Sequence, residues 1–88
     1  MSKNRLSLRQ QYEEAKARHP DTLLLFRIRD FYQCFAEDAE TAAKALGLTL
    51  SHKGQMLLAG FPHHQLEYYL RKLLQAGHKV AICEQPEE

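Results

Sequence analysis

The segment Thr22-Leu23-Leu24-Leu25-Phe26-Arg27-Ile28 constrains this chain more than any other part of it. It is a nearly continuous apolar run, and a strand of that composition has to be covered on both faces. Its longest uninterrupted stretch, Leu23 to Phe26, is far short of a membrane span. His19-Pro20-Asp21, directly before it, stops whatever helix precedes, because proline disfavours helical geometry in the residue ahead of it. The run is therefore a buried strand, and the rest of the chain has to supply its cover.

Helical spacing supplies it. Leu8, Tyr12 and Ala15 recur on one side of a helix expected over about Leu8 to Arg18, and Ser7 followed by Gln10 has the form of a capping box. Asp30 reads as the opening of a second helix that runs to Leu46, with Phe35, Ala39, Ala42 and Leu46 in line and Gly47 as its left-handed stop. Leu48 to His52 alternates like a half-buried strand, Lys53-Gly54-Gln55 turns the chain, and Met56 to Phe61 returns. A third helix carries Leu66, Leu70, Leu73 and Leu74 and stops at Gly77, and Lys79 to Cys83 is a last short strand. The expected fold is α/β (α+β): a mixed sheet of about four strands flanked by three helices, in the order α-β-α-β-β-α-β. The 88 residues form one domain, 1–88, with a frayed acidic tail at 86–88.

Composition excludes several classes. Met1 to Arg9 is polar and basic with no long apolar core behind it, unlike a signal peptide. Cys34 and Cys83 have neither metal-ligand spacing nor a disulfide framework and read as buried thiols in a reducing cytoplasm. The net charge of +1 announces no basic stripe. Five histidines invite a metal hypothesis, but His63 and His64 are adjacent, and His52, His78 and Cys83 sit on different elements without ligand spacing, so no metal is expected. There is no Gly-x-Ser-x-Gly elbow and no phosphate-cradling glycine loop. The carboxylate pairs Glu13-Glu14 and Glu37-Asp38 read as helix surface beside lysines. Neither an enzyme nor a cofactor is expected.

The segment Phe26-Arg27-Ile28-Arg29-Asp30-Phe31-Tyr32-Gln33-Cys34-Phe35 is different. Exposed aromatic side chains at a strand–helix corner are costly unless they pack or bind something. Two readings are open. In one, Phe31 and Tyr32 fold under the sheet edge while Asp30 and Gln33 cap the helix reciprocally. In the other, Phe31 projects as an apolar wedge with the Gln33 amide behind it and Arg29 beside it, the way minor-groove proteins kink a duplex.

Phe26-Arg27-x-x-Asp30-Phe31-Tyr32 resembles the Phe-Arg-Met-Gly-Asp-Phe-Tyr-Glu signature of the first domain of the MutS family of mismatch repair proteins. The similarity continues in order. Gln11-Tyr12 with Lys16 resembles the family's first helix, and Asp38-Ala39 its second. Leu46-Gly47-Leu48-Thr49-Leu50 with Lys53-Gly54 resembles a strand and its turn. Ala59-Gly60-Phe61-Pro62, His64, Tyr69-Leu70 and Leu73, and then Val80-Ala81-Ile82-Cys83-Glu84-Gln85 complete a match over roughly residues 10 to 85. The resemblance implies a module that binds double-stranded DNA at a mispaired or unpaired base from the minor groove. Phe31 would be its stacking wedge, and Gln33 would stand where the family has a hydrogen-bonding glutamate. Arg29, and Lys53 with His52 on the neighbouring hairpin, complete the implied DNA-binding set. The remainder of a MutS-like protein is an implied partner, and the cytoplasm, in association with the nucleoid, the implied location.

The departures from the family are specific. Gln33 keeps the reach and hydrogen-bonding capacity of glutamate without its charge. Arg29 replaces a glycine, a poor exchange if that position needs a positive φ, or else a new phosphate contact. The Lys53–Met56 hairpin is shorter than the family's, and Leu57-Leu58 replaces Pro-Met. The family's ATPase, clamp and connector are absent from these residues. An alternative function for the same fold is an interaction module that binds a protein partner or only the DNA backbone; a core position for Phe31 favours it, and a solvent-facing Phe31 favours the wedge.

Overall fold

A computed structural model describes residues 7–84, so the acidic tail at 86–88 lies outside the described residues. Helix α1 spans Leu8–Arg18. The Ser7 hydroxyl accepts from the Gln10 amide at 3.1 Å, and the Gln10 side chain accepts from the Ser7 amide at 2.9 Å, which satisfies two of the first turn's otherwise orphaned donors. Strand β1, Leu23–Ile28, follows the proline stop.

The next element departs from the sequence expectation. Phe31–Phe35 is a strand, β2, and helix α2 begins only at Ala36 and runs to Leu46. The sheet therefore has five strands rather than four, and the aromatics are not in a helix's first turn. No Asp30–Gln33 cap forms: the residue preceding α2 is Phe35, and no side chain caps the helix. An aspartate before an apolar stretch signals a helix start, but Arg29-Asp30 instead makes a two-residue hairpin turn between Ile28 and Phe31, which face each other. Phe-Tyr-x-Cys-Phe is aromatic-rich and suits a pleated surface, so the flanking strands settle the matter.

After the Gly47 stop (φ 74°) come β3 (Ser51–Lys53), β4 (Met56–Pro62), a 3-10 turn over His63–Gln65, α3 (Leu66–Gln75) and β5 (Val80–Glu84). Leu48 to Leu50 lie outside any strand, so the third strand is shorter than the alternating pattern implied.

The sheet order is β3-β4-β2-β1-β5. β5 runs parallel to β1, and the other neighbours are antiparallel. Side-chain alternation divides the core into two. On one face α1 packs Tyr12 and Ala15 with Leu24, Phe26, Phe35 and Met56. On the other, Ala39, Ala42, Leu46 and Leu73 from α2 and α3 meet Leu23, Leu25, Tyr32, Cys34, Ala59 and Phe61. The Leu23–Phe26 run is buried on both faces, as its composition requires. Each such side chain contributes about 1.5–3 kcal/mol by leaving water. Leu73 is fully buried, whereas Leu74 is 53% exposed, so the α3 stripe is narrower than expected. Cys34 is buried and Cys83 only half-buried.

Asp38 is also unlike its sequence reading. It is buried rather than on the helix surface. Its carboxylate accepts from the Leu24 amide at 3.1 Å and from Lys16 Nζ at 3.0 and 3.3 Å, while Lys16 also donates to the Thr22 carbonyl at 2.5 Å. The pairing of β1 with β2 ends at Phe26 and Gln33, so the Leu24 amide would lack a partner on that side without Asp38. Burial, and next the Asp38 charge, push the Tyr12 hydroxyl up to about 12. The same two causes push the Cys34 thiol up to about 12.

Candidate nucleic-acid interface

β2 is the middle strand of the sheet, and its first residue, Phe31, lies directly across from Ile28 on β1 and Pro62 on β4. Residues paired this way share a face, so the three apolar side chains form a row at one end of the sheet. Ile28 and Pro62 are half-buried, while Phe31 is 45% exposed. Its neighbour Tyr32 points to the opposite face and is buried against Phe61. Of the two aromatics, then, Tyr32 folds under the sheet and Phe31 does not.

Gln33 occupies the next row on the Phe31 face, about 7 Å further along the strand. It lies between Phe26 and Gly60 and is half-buried. Its side-chain amide makes no hydrogen bond among the described residues. Gly60 leaves the space it occupies: a Cβ there would come within 2.7 Å of the Tyr32 carbonyl oxygen and 3.1 Å of Gln33 Cγ. Gly60 was not singled out by sequence reasoning, although the Ala-Gly-Phe-Pro motif that contains it was.

The turn beside Phe31 is held by Arg29 at φ 58°, a left-handed conformation that an L side chain adopts at a cost of about 1–2 kcal/mol. Gly54 does the same at φ 64° in the equivalent place of the β3–β4 hairpin, where no Cβ is strained. The position therefore does need a positive φ, and arginine fills it. Arg27 braces the turn: its Nε donates to the Arg29 carbonyl at 2.6 Å, and its guanidinium lies 5.7 Å from the Tyr32 ring centroid. On the other side, the His63 amide donates to the Asp30 carbonyl at 2.7 Å.

The five candidate residues do not converge on one point. Arg29, Phe31 and Gln33 share one end of the sheet. Lys53 pairs with Met56 and His52 with Leu57, six and five residues along β4 from Pro62, so Lys53 is about 20 Å away and His52 faces the opposite side. Among the described residues there is no group of three or more histidine, cysteine or acidic side chains able to hold a metal ion, and no helix is long and apolar enough to cross a membrane.

Comparison with known proteins identifies the family. The family described as MutS domain I matches residues 7–88. The DNA mismatch repair protein MutS of Flavobacterium johnsoniae is 51% identical over 86 residues, covering 92% of this chain and 10% of that protein. The MutS proteins of Pseudothermotoga lettingae and Methanosarcina barkeri are each 51% identical, over 79 and 84 residues, covering 90% and 89% of this chain and 10% and 9% of theirs. The chain thus spans about a tenth of the length of the relatives it matches. With the family's motifs in order from α1 to β5, this chain belongs to the MutS domain I family.

Proposed function

We propose that this chain is a DNA-binding module that recognises mispaired or unpaired bases from the minor groove, with Phe31 as the inserted wedge and Gln33 as the hydrogen-bonding group beside it. The observation that carries this reading is the placement of Phe31. Its ring is 45% exposed at the end of the central strand, whereas Phe26, Tyr32, Phe35 and Phe61 of the same sheet are buried. A large apolar side chain held exposed there loses its contact with water when it enters a base stack, and that burial favours binding. Selectivity then comes from the DNA, since a mismatched step unstacks and bends at lower cost than a paired one. That the relatives are DNA mismatch repair proteins supports the same reading. Arg29 adds a phosphate contact from the adjacent turn, and the module serves recognition, with no catalytic step assigned to it. Lys53, about 20 Å along the sheet, belongs to a separate, outer contact, and His52 faces away from it.

The test is a titration of the chain and of Phe31→Ala against matched and mismatched duplexes. With three or four phosphate contacts the salt slope is expected near −3, with affinity in the micromolar range or weaker at physiological salt. Phe31→Ala should leave folding nearly intact and remove a stacking contribution of about 1–3 kcal/mol, and with it the preference for mismatched DNA. An unfolded Phe31→Ala protein, or an unchanged mismatch preference, would instead favour the interaction module.

A further inference from the structure

The corner between β4 and α3 stands against the wedge. Pro62 is the cross-strand neighbour of Phe31, and the next residue, His63, is tied by its amide to the Asp30 carbonyl at 2.7 Å. One backbone hydrogen bond therefore joins the hairpin turn to the corner. His64 is exposed and His63 half-buried. Their rings meet edge to face, 6.1 Å between centroids, and neither imidazole hydrogen-bonds to an acceptor among the described residues. The nearby carboxylates, Asp30 on the turn and Glu67 in the first turn of α3, are both exposed and bonded to neither ring.

Groove geometry gives these rings a use. Gln33 follows Phe31 along β2 on the same face, so if both address one site in the stack, β2 runs along the groove. Its neighbours β1 and β4 then lie across the groove, about 4.8 Å to either side. The minor groove is only about 6 Å wide, with a sugar–phosphate wall on each side. One flank of the wedge, the β1–β2 turn with Arg29, therefore meets one DNA strand, and the other flank, Pro62-His63-His64, meets the opposite strand.

We propose that His63 and His64 form a second phosphate-contacting arm, which grips the DNA strand opposite the one held by Arg29. An imidazole N–H donates to a phosphate oxygen whether or not the ring is charged. Contacts of this kind set the register of the protein on the duplex without reading sequence, so the arm fixes the direction in which Phe31 enters. The inference rests on the wedge reading above.

It is tested with the 88-residue chain and duplexes that carry one mismatch and, flanking it, neutral methylphosphonates in one strand or the other. The variant with both His63→Ala and His64→Ala should bind the unmodified mismatch duplex about five- to tenfold more weakly than the parent. His63→Gln with His64→Gln, which retains a donor at each position, should recover most of that loss. Methylphosphonates in one strand should erase the difference between parent and the double alanine variant, and those in the other strand should erase the effect of Arg29→Ala. Should the double alanine variant fail to fold, His64→Ala, at an exposed position, carries the same comparison. Parent-like binding by the histidine variants, or Arg29 and histidine effects that map to the same strand, would overturn the proposal. If this happens while Phe31→Ala abolishes mismatch preference, only the histidine arm falls. If Phe31→Ala leaves that preference intact, the wedge reading falls and the arm with it.

Discussion

Arg27 Nε donates to the backbone carbonyl of Arg29 at 2.6 Å, so one arginine steadies the strained turn that the other occupies. Arg29 holds φ at 58°, where the Cβ is the source of the strain. Arg29→Gly should therefore stabilise the fold, by about 1 kcal/mol, less whatever the added unfolded-state freedom of glycine takes back. The same change removes the charge beside Phe31, so it should weaken DNA binding and make the salt slope shallower by about one. Thermal unfolding and titrations at three salt concentrations would check both; a destabilised glycine variant would contradict the account of the turn.

Gln33→Glu restores the family's charge with nearly the same shape. Because the side chain is half-buried with no hydrogen bond among the described residues, and Gly60 leaves room for it, the variant is expected to fold. It should bind matched duplex slightly more weakly through phosphate repulsion and show a larger mismatch-to-match ratio. Affinities for paired duplexes that differ at one base pair measure this, and an unchanged ratio would mean that Gln33 does not address the base.

Asp38→Ala is expected to be among the most damaging single changes outside the apolar core. It leaves the Leu24 amide and Lys16 without their carboxylate partner. Loss of one partner of a buried pair costs about 3–5 kcal/mol, with the lower end apt here because Lys16 retains some solvent contact. Urea unfolding should show the midpoint falling accordingly, while a shift under about 1 kcal/mol would place the pair among ordinary surface ion pairs.

Alkaline pH should unfold the chain earlier than its charge balance suggests. Tyr12 is raised from 10.0 to about 12 by burial and Asp38, and Cys34 from 9.0 to about 12 by the same causes. In both, the folded state holds its proton more tightly than the unfolded one. Their contribution is therefore fully present below about pH 9 and declines as pH rises from there toward 12. Unfolding free energies measured from pH 8 to 11 should fall more steeply for the parent than for Cys34→Ala or Tyr12→Phe, each compared with its own value at pH 8. Equal slopes would show that neither group is responsible.

Much of this protein was legible in its residues alone. The bounds of α1 follow from Ser7, Gln10 and Pro20, and the stop of α2 from Gly47, because caps and proline act within three or four residues of themselves. The double cover of Leu23–Phe26 follows from its composition, and the motif order from α1 to β5 carried the family. Only the tertiary structure decided that Phe31–Phe35 is a strand. Ile28, the partner of Phe31 on one side, is only a hairpin turn away, but its partner on the other side, Pro62, lies thirty-one residues on, and no local pattern encodes that pairing. The same pairing set Phe31 outward and Tyr32 inward, put Gly60 beside Gln33, buried Asp38 against an amide left by the end of a ladder, and separated Lys53 from the wedge. Which residues share a face depends on register, and register is fixed when distant strands meet.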